Sequence, residues 1–153
     1  TKFKELADKK KYILDEDLEV IVTEGILRTP DIFRLEYLHV TSGTTVFPMA
    51  SVKLSINERP VQDAGYGNGP IDAAFNVISK LTGTQSELLR FSVSALTGGT
   101  DAQGEVTVRL SEEGLTALGR GADPDIITAS AKAYVNGLNR LEYLKANPVV
   151  ATT

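Results

Sequence analysis

The feature that most constrains this chain is that it repeats itself. Displaced by 54 positions, Val52, Leu54, Ile56 and Glu58 fall on Val106, Val108, Leu110 and Glu112, and Gly65, Gly67 and Pro70 fall on Gly119, Gly121 and Pro124. Both halves must therefore form one and the same supersecondary unit. Each copy opens with an apolar/polar alternation, Phe33, Leu35 and Tyr37 in the first and Leu89, Phe91, Val93 and Ala95 in the second, the period of a half-buried strand. The loops TSGT (41–44) and TGGT (97–100) follow, aligning after a two-residue gap. Second strands come next, with Ala50, Val52, Leu54 and Ile56 alternating against polar neighbours as Val106, Val108 and Leu110 do. Polar turns at 57–59 and 112–114 lead to short third strands that end in GYGNGP (65–70) and GRGADP (119–124). A helix is predicted to start in each, with Pro at its first position and Gly69 or Asp123 as N-cap. Ile71, Ala74, Phe75, Ile78 and Leu81 supply the buried stripe of the first, and Ile127, Ala131, Tyr134, Leu138 and Leu141 that of the second. The expected fold is α+β: two pseudo-repeated βββα units, over about 31–82 and 87–144, with helices on one face of antiparallel sheets.

Residues 1–28 stand apart from the repeats. Phe3, Leu6 and Ala7 at helical spacing read as the tail of a surface helix, and Asp15 can cap a second whose narrow apolar stripe is Leu18, Ile21 and Val22. So little apolar surface does not stabilise a domain, and Thr29-Pro30-Asp31 is a natural break, so this part reads as the remnant of a helical linker subdomain of something longer. Residues 145–153 read as a tail.

Composition removes several classes of chemistry. A formal net charge of -4 gives no basic field for a nucleic acid or an anionic membrane surface, and no apolar run is long enough to span a bilayer, so the expectation is a soluble, cytoplasmic protein. With no Cys there is no disulfide, thiolate metal site or cysteine nucleophile, and the single His39 has no metal partner at ligand spacing. The acids Asp101, Glu105, Asp123 and Asp125 fall where turns and helix starts explain them, and Lys9-Lys10-Lys11 sits among acids as a solvated face. No catalytic residue, metal or cofactor is expected in this chain. The spacing of GYGNGP is G-x-G-x-G, which has neither the third Gly of a dinucleotide fingerprint nor the Lys of a P-loop. Two readings of it remain: glycines that merely turn and cap the chain, or a helix N-terminus whose free amides and dipole receive a small carboxylate. The small-residue face of the last helix, Ile126, Ser130, Ala133 and Gly137, permits close approach, either within the domain or at a homodimer interface.

At GYGNGPIDAAFNVI (65–78), ALTGGTDAQGEVTVRL (95–110) and GRGADPDIITASAKAYVNGLNRL (119–141) the sequence resembles the C-terminal regulatory domain of the 2-isopropylmalate synthases, over residues 31 to about 144, and FKELADKKKYILDEDLEVIV (3–22) looks like the end of that family's linker subdomain. The resemblance implies a regulatory homodimer of βββα units that binds L-leucine for feedback inhibition. Its parent acyltransferase condenses acetyl-CoA with 2-oxoisovalerate in a (β/α)8 barrel that uses a divalent metal and has no counterpart in this sequence. It also implies an effector site: Asn68 and Gly69 for the loop amides, Ile71, Leu88, Phe91, Ala95 and Ile126 for an apolar pocket, and carbonyls near Ala102 and Gly104 for the ammonium group. The related citramalate synthases, with the same regulatory fold, answer to isoleucine, and a purely structural dimerisation domain is the third possibility.

Overall fold

Strands β1 (Phe33–Thr41), β2 (Met49–Ile56) and β3 (Arg59–Tyr66) pair antiparallel in that order and are followed by α1 (Pro70–Thr82). Strands β4 (Glu87–Ala95), β5 (Gly104–Glu112) and β6 (Leu115–Asp123) repeat the arrangement and are followed by α2 (Ile126–Ala146). The βββα unit thus occurs twice, as the repeat requires. This computed structural model describes residues 31–95 and 103–147. The proposed linker remnant, the TGGT loop, Ala102, the last six residues and the side chain of Ala95 lie outside the described residues.

The β2–β3 and β5–β6 hairpins close through two-residue turns, Asn57-Glu58 and Glu113-Gly114, in which all four φ angles are positive. That is the geometry whose twist matches the flanking strands. The first strands depart from simple alternation. Register shifts at Glu36 in β1 and Leu89 in β4 mark a bulge in each. Phe33 and Leu35 therefore face the helices together with Leu38 and Val40, while Tyr37 is turned to the outer face. In β4 Leu88 joins Phe91 and Val93 on the inner face, because these pair with the buried Leu110, Val108 and Val106. The expected phase, with Phe33, Leu35 and Tyr37 on one side, is broken by one inserted residue.

The repeated glycines do not serve to turn the chain. Their φ angles are not positive, and what they lack is room. A Cβ on Gly67 would lie 2.3 Å from the Ala73 amide nitrogen, one on Gly119 2.1 Å from the Ala133 carbonyl oxygen, and one on Gly121 2.4 Å from the Ala129 oxygen. Helix backbone rests directly on strand backbone at the end of β3 and along β6. This also settles the small-residue face of α2. Ser130, Ala133 and Gly137 are buried against β6 of their own unit, so they do not form the dimer interface suggested by their size. The large stripe of Tyr134, Leu138 and Leu141 is buried as well, which leaves α2 enclosed on two sides.

The helix starts differ between the units. In α1 the N-cap is Gly69, followed by Pro70 as expected. In α2 it is Asp125 rather than Asp123: its carboxylate accepts from the Ile127 and Thr128 amides, while Asp123 accepts from the Asp125 amide and pairs with Lys132 at 2.9 Å. A carboxylate two residues further on reaches the first-turn amides, so the helix begins after the proline instead of at it.

Side chains from the helices bond to the backbone of three edge strands, at one residue each. Asn139 of α2 donates to the Phe33 carbonyl and accepts from its amide, at 2.9 and 2.8 Å, joining the second helix to the edge strand of the first sheet. Asn76 donates to the Tyr66 carbonyl on β3, and Asn136 accepts from the Arg120 amide on β6. Between the helices, Phe75 stacks on Tyr134 with ring centroids 4.3 Å apart. Glu112 locks the β5–β6 hairpin to α2, receiving Lys145 at 3.1 Å, the Ser86 hydroxyl and the Gln85 amide. Burial alone would push the Glu112 carboxyl up, but these three donors outweigh it and hold it below the ordinary glutamate range.

Two outcomes follow for stability. Gly119→Ala is expected to lower the unfolding free energy by about 1–3 kcal/mol or more, since the clash is with backbone. Gly69→Ala, with nothing within 4 Å of its Cβ position, should cost less, about 0.5–1 kcal/mol for the poorer N-cap; chemical denaturation of both variants compares them. The contribution of Glu112, whose folded value is depressed, is present above the ordinary glutamate value and is lost as pH falls through the lowered one. Glu112→Gln should therefore flatten the acid limb of the stability–pH curve and leave its slope near neutrality unchanged.

Candidate functional site

The residues singled out in the sequence fall at the inner edge of the second sheet and at the two helix starts. Asn68, Gly69 and Ile71 form the entry to α1. Gly69 is extended, at φ -160° and ψ 175°, and offers no side chain to the first-turn amides, so these keep the partial positive charge of a helix start. The Asn68 amide is already engaged, donating to the Asp72 carboxylate at 2.8 Å, which leaves the first turn beyond Gly69 as the open donor set. In α2 the same amides are occupied by Asp125. One helix start of the pair is closed and the other is open.

Ile71 and Ile126 are half-buried and pack against the core at the two helix starts. Gly104 lies directly beneath Ile126, since a Cβ there would come within 2.7 Å of Ile126 Cδ1. The backbone of Ala95 pairs with Gly104, so the end of β4, the start of β5 and the start of α2 converge. Phe91 reaches α1 by contact with Phe75, one turn after Ile71, at a centroid separation of 6.3 Å. Leu88 does not join this group. Seven residues of extended strand, about 23 Å, separate it from Ala95, so one amino acid in one protomer does not touch both.

Among the described strands β4 is the least covered on its inner face. Leu88, Phe91 and Val93 are 42%, 37% and 50% exposed although they point to the same side as the fully buried Val106, Val108 and Leu110. Their counterparts in the first unit, Phe33, Leu35 and Leu38, are buried or packed against the core, because α2 reaches across to β1. Val93 and Phe75 were not singled out as site residues. A comparison of β1 with β4 across the repeat carries the signal for Val93, while Phe75 is identified only by its long-range ring contacts.

Among the described residues no group of three or more His, Cys, Asp or Glu is placed to hold a metal, and His39 lies exposed on the outer side of β1. No described helix is long and apolar enough to cross a membrane. An open helix start beside an uncovered apolar strip can take a small zwitterion with an aliphatic side chain.

Comparison with known proteins agrees in kind. The 2-isopropylmalate synthases of Syntrophus aciditrophicus (strain SB), Nitratidesulfovibrio vulgaris (strain DSM 19637 / Miyazaki F) and Heliobacterium modesticaldum (strain ATCC 51547 / Ice1) are 55%, 57% and 49% identical to this chain over 144, 139 and 142 residues. These alignments take in 94%, 90% and 93% of the chain but 28%, 27% and 28% of those proteins, so the chain spans little more than a quarter of their length. The matched part is the regulatory part: the sequence model of the LeuA allosteric (dimerisation) domain fits residues 12–142. With two βββα units in place of any barrel and a match over most of its length, the chain belongs to the LeuA allosteric (dimerisation) domain family.

Proposed function

We propose that this chain is the effector-sensing, dimerising domain of a 2-isopropylmalate synthase and that its effector is L-leucine, the end product whose accumulation shuts the enzyme off. The observation that carries this reading is the open first turn of α1 beside the uncovered inner face of β4. The amides beyond Gly69 suit a carboxylate, and Ile71, Phe91, Ala95 and Ile126 suit a branched aliphatic side chain. Carbonyls near Ala102 and Gly104 are assigned to the ammonium group. The acyl transfer from acetyl-CoA to 2-oxoisovalerate, with its divalent metal, belongs to a separate barrel of the parent enzyme in the cytoplasm, and this chain has no catalytic role.

The second copy belongs against β4. In the first unit a helix from the other unit covers the inner face of the first strand; in the second unit a partner chain supplies that cover. Twofold symmetry running two β4 strands antiparallel sets the Leu88 end of one copy against the Ala95 end of the other, which gives Leu88 a place in the pocket. Effector and dimer are then linked, and each strengthens the other.

Titration calorimetry of the chain with leucine, valine and isoleucine tests the effector. Leucine is expected to bind about tenfold or more tightly than valine, the worth of one methylene in an apolar cup. Tighter isoleucine binding would transfer the chain to the citramalate synthases, and no heat with any of the three would leave a structural dimerisation domain. Gly69→Asp should abolish leucine binding by placing a carboxylate in the anion site while the fold survives, because Asp is a good N-cap and the position has room. Sedimentation should give about twice the 16.5 kDa chain mass. Val93→Lys, on a half-exposed site, should yield a folded monomer; an unchanged dimer would move the interface elsewhere.

A further inference from the structure

Three aromatic rings form a ladder from the uncovered strand into the helix layer. Phe91 of β4, 37% exposed, stands at the open end and touches Phe75 of α1 at a centroid separation of 6.3 Å, with the rings tilted by 58°. Phe75 is buried and stacks on Tyr134 of α2 at 4.3 Å. Tyr134 is held in turn by a hydrogen bond with Ser79, whose hydroxyl donates to the Thr84 carbonyl at 2.9 Å. Strand β4 and α2 belong to the second unit and α1 to the first, so the Phe75 ring is fixed where the two units meet. The repeat does not require a ring there. Whether α2 is matched by the 54-residue displacement or by the helix starts at Pro70 and Ile126, the place of Phe75 is taken by a fully buried alanine, Ala129 or Ala131. The ring stands in the helix whose start is open and not in the one whose start Asp125 closes.

Its place on α1 ties the ring to that opening. Helical side chains lean toward the N-terminus, so a residue covers the turn before its own. Phe75 follows Ile71 by four positions and therefore overhangs the turn to which the effector carboxylate is assigned. The carboxyl carbon and terminal methyl of leucine are about 5 Å apart, four carbon–carbon bonds of roughly 1.5 Å at tetrahedral angles, and one helical turn rises about 5.4 Å. A ligand held by the amides beyond Gly69 brings its branch past Ile71 to the level of the Phe75 ring. Resting on that effector reading, we infer that Phe75 is a further specificity-determining residue: its ring is the floor of the apolar pocket and sets how long an aliphatic side chain the pocket accepts. Phe91 leans on the same ring as a wall. Tyr134 fixes the depth, because a ring stacked at 4.3 Å leaves the floor no space into which to retreat.

Calorimetry of the full 153-residue chain with leucine and with norleucine, its straight-chain isomer with one carbon more of reach, tests this. The unaltered chain should bind leucine more tightly. In Phe75→Leu, whose floor is deeper, the ratio of the two dissociation constants should move about tenfold or more toward norleucine, the worth of one methylene in such a site. A general loosening of the fold or of the dimer weakens both ligands and cancels in the ratio. Val77→Ala, a truncation on the face of α1 that meets Gly65 of β3, should therefore leave the ratio within about twofold. A second measurement needs no variant: isotope-labelled leucine bound to the unaltered chain should show nuclear Overhauser contacts from its δ-methyl protons to the ring of Phe75 as well as to Phe91. A ratio that Phe75→Leu does not move, or δ-methyl contacts to Phe91 and Ile71 without Phe75, overturns the inference and leaves the effector reading standing. No binding of leucine, isoleucine or valine by the unaltered chain removes the effector reading and this inference with it.

Discussion

Contact between helix backbone and strand backbone, made possible by glycines at the end of each third strand, is the constraint on which the rest of the molecule depends. Gly67, Gly119 and Gly121 leave no space for a Cβ, so each helix is lowered onto its sheet until peptide groups meet. A helix set that close over one edge of a three-stranded sheet covers the third and second strands and leaves the first to be covered by something else. In the first unit α2 supplies that cover and holds it with Asn139 on Phe33. In the second unit the first strand remains half open, and the features suited to effector and partner gather there.

The repeat explains both the likeness of the units and their separate duties. Six strands, two hairpins and two helices recur in register, and differences of one or two residues divide the labour. Moving the cap from Gly69 to Asp125 closes one helix start and leaves the other with unsatisfied donors. On the outer rows Tyr37 and Tyr66 of the first sheet stand where the second has Ser92 and Arg120, so one sheet shows exposed rings where the other is polar. Duplication supplied a symmetric frame, and asymmetric side chains gave it direction.

Much of this was legible in the sequence, for local reasons. Strand alternation, the polar hairpin turns and the helix stripes each declare themselves within ten residues, and the 54-residue register tied them into two units. What escaped depended on distance along the chain. The bulges at Glu36 and Leu89 leave no mark in composition, yet each inverts the phase of half a strand. The small face of α2 pointed correctly to close approach, but its partner, Gly119 and Gly121, became visible only when the helix was laid on its own sheet. The candidate effector residues were named one by one from a resemblance; their separation into a converging group and an outlying Leu88 follows from strand length, which no motif records.

The asparagines along the edges have a consequence for how many molecules can associate. Strand edges are adhesive by default, and a protein with several free edges can add neighbours without end. Here Asn139 bonds the Phe33 backbone on β1, Asn76 the Tyr66 carbonyl on β3 and Asn136 the Arg120 amide on β6, while among the described residues no hydrogen bond from a helix side chain to the β4 backbone is seen. A particle with one adhesive edge joins one other particle and then has nothing left to offer. If a second copy pairs through β4 as proposed, growth stops at a pair, and the open strand is carried without the risk of filaments.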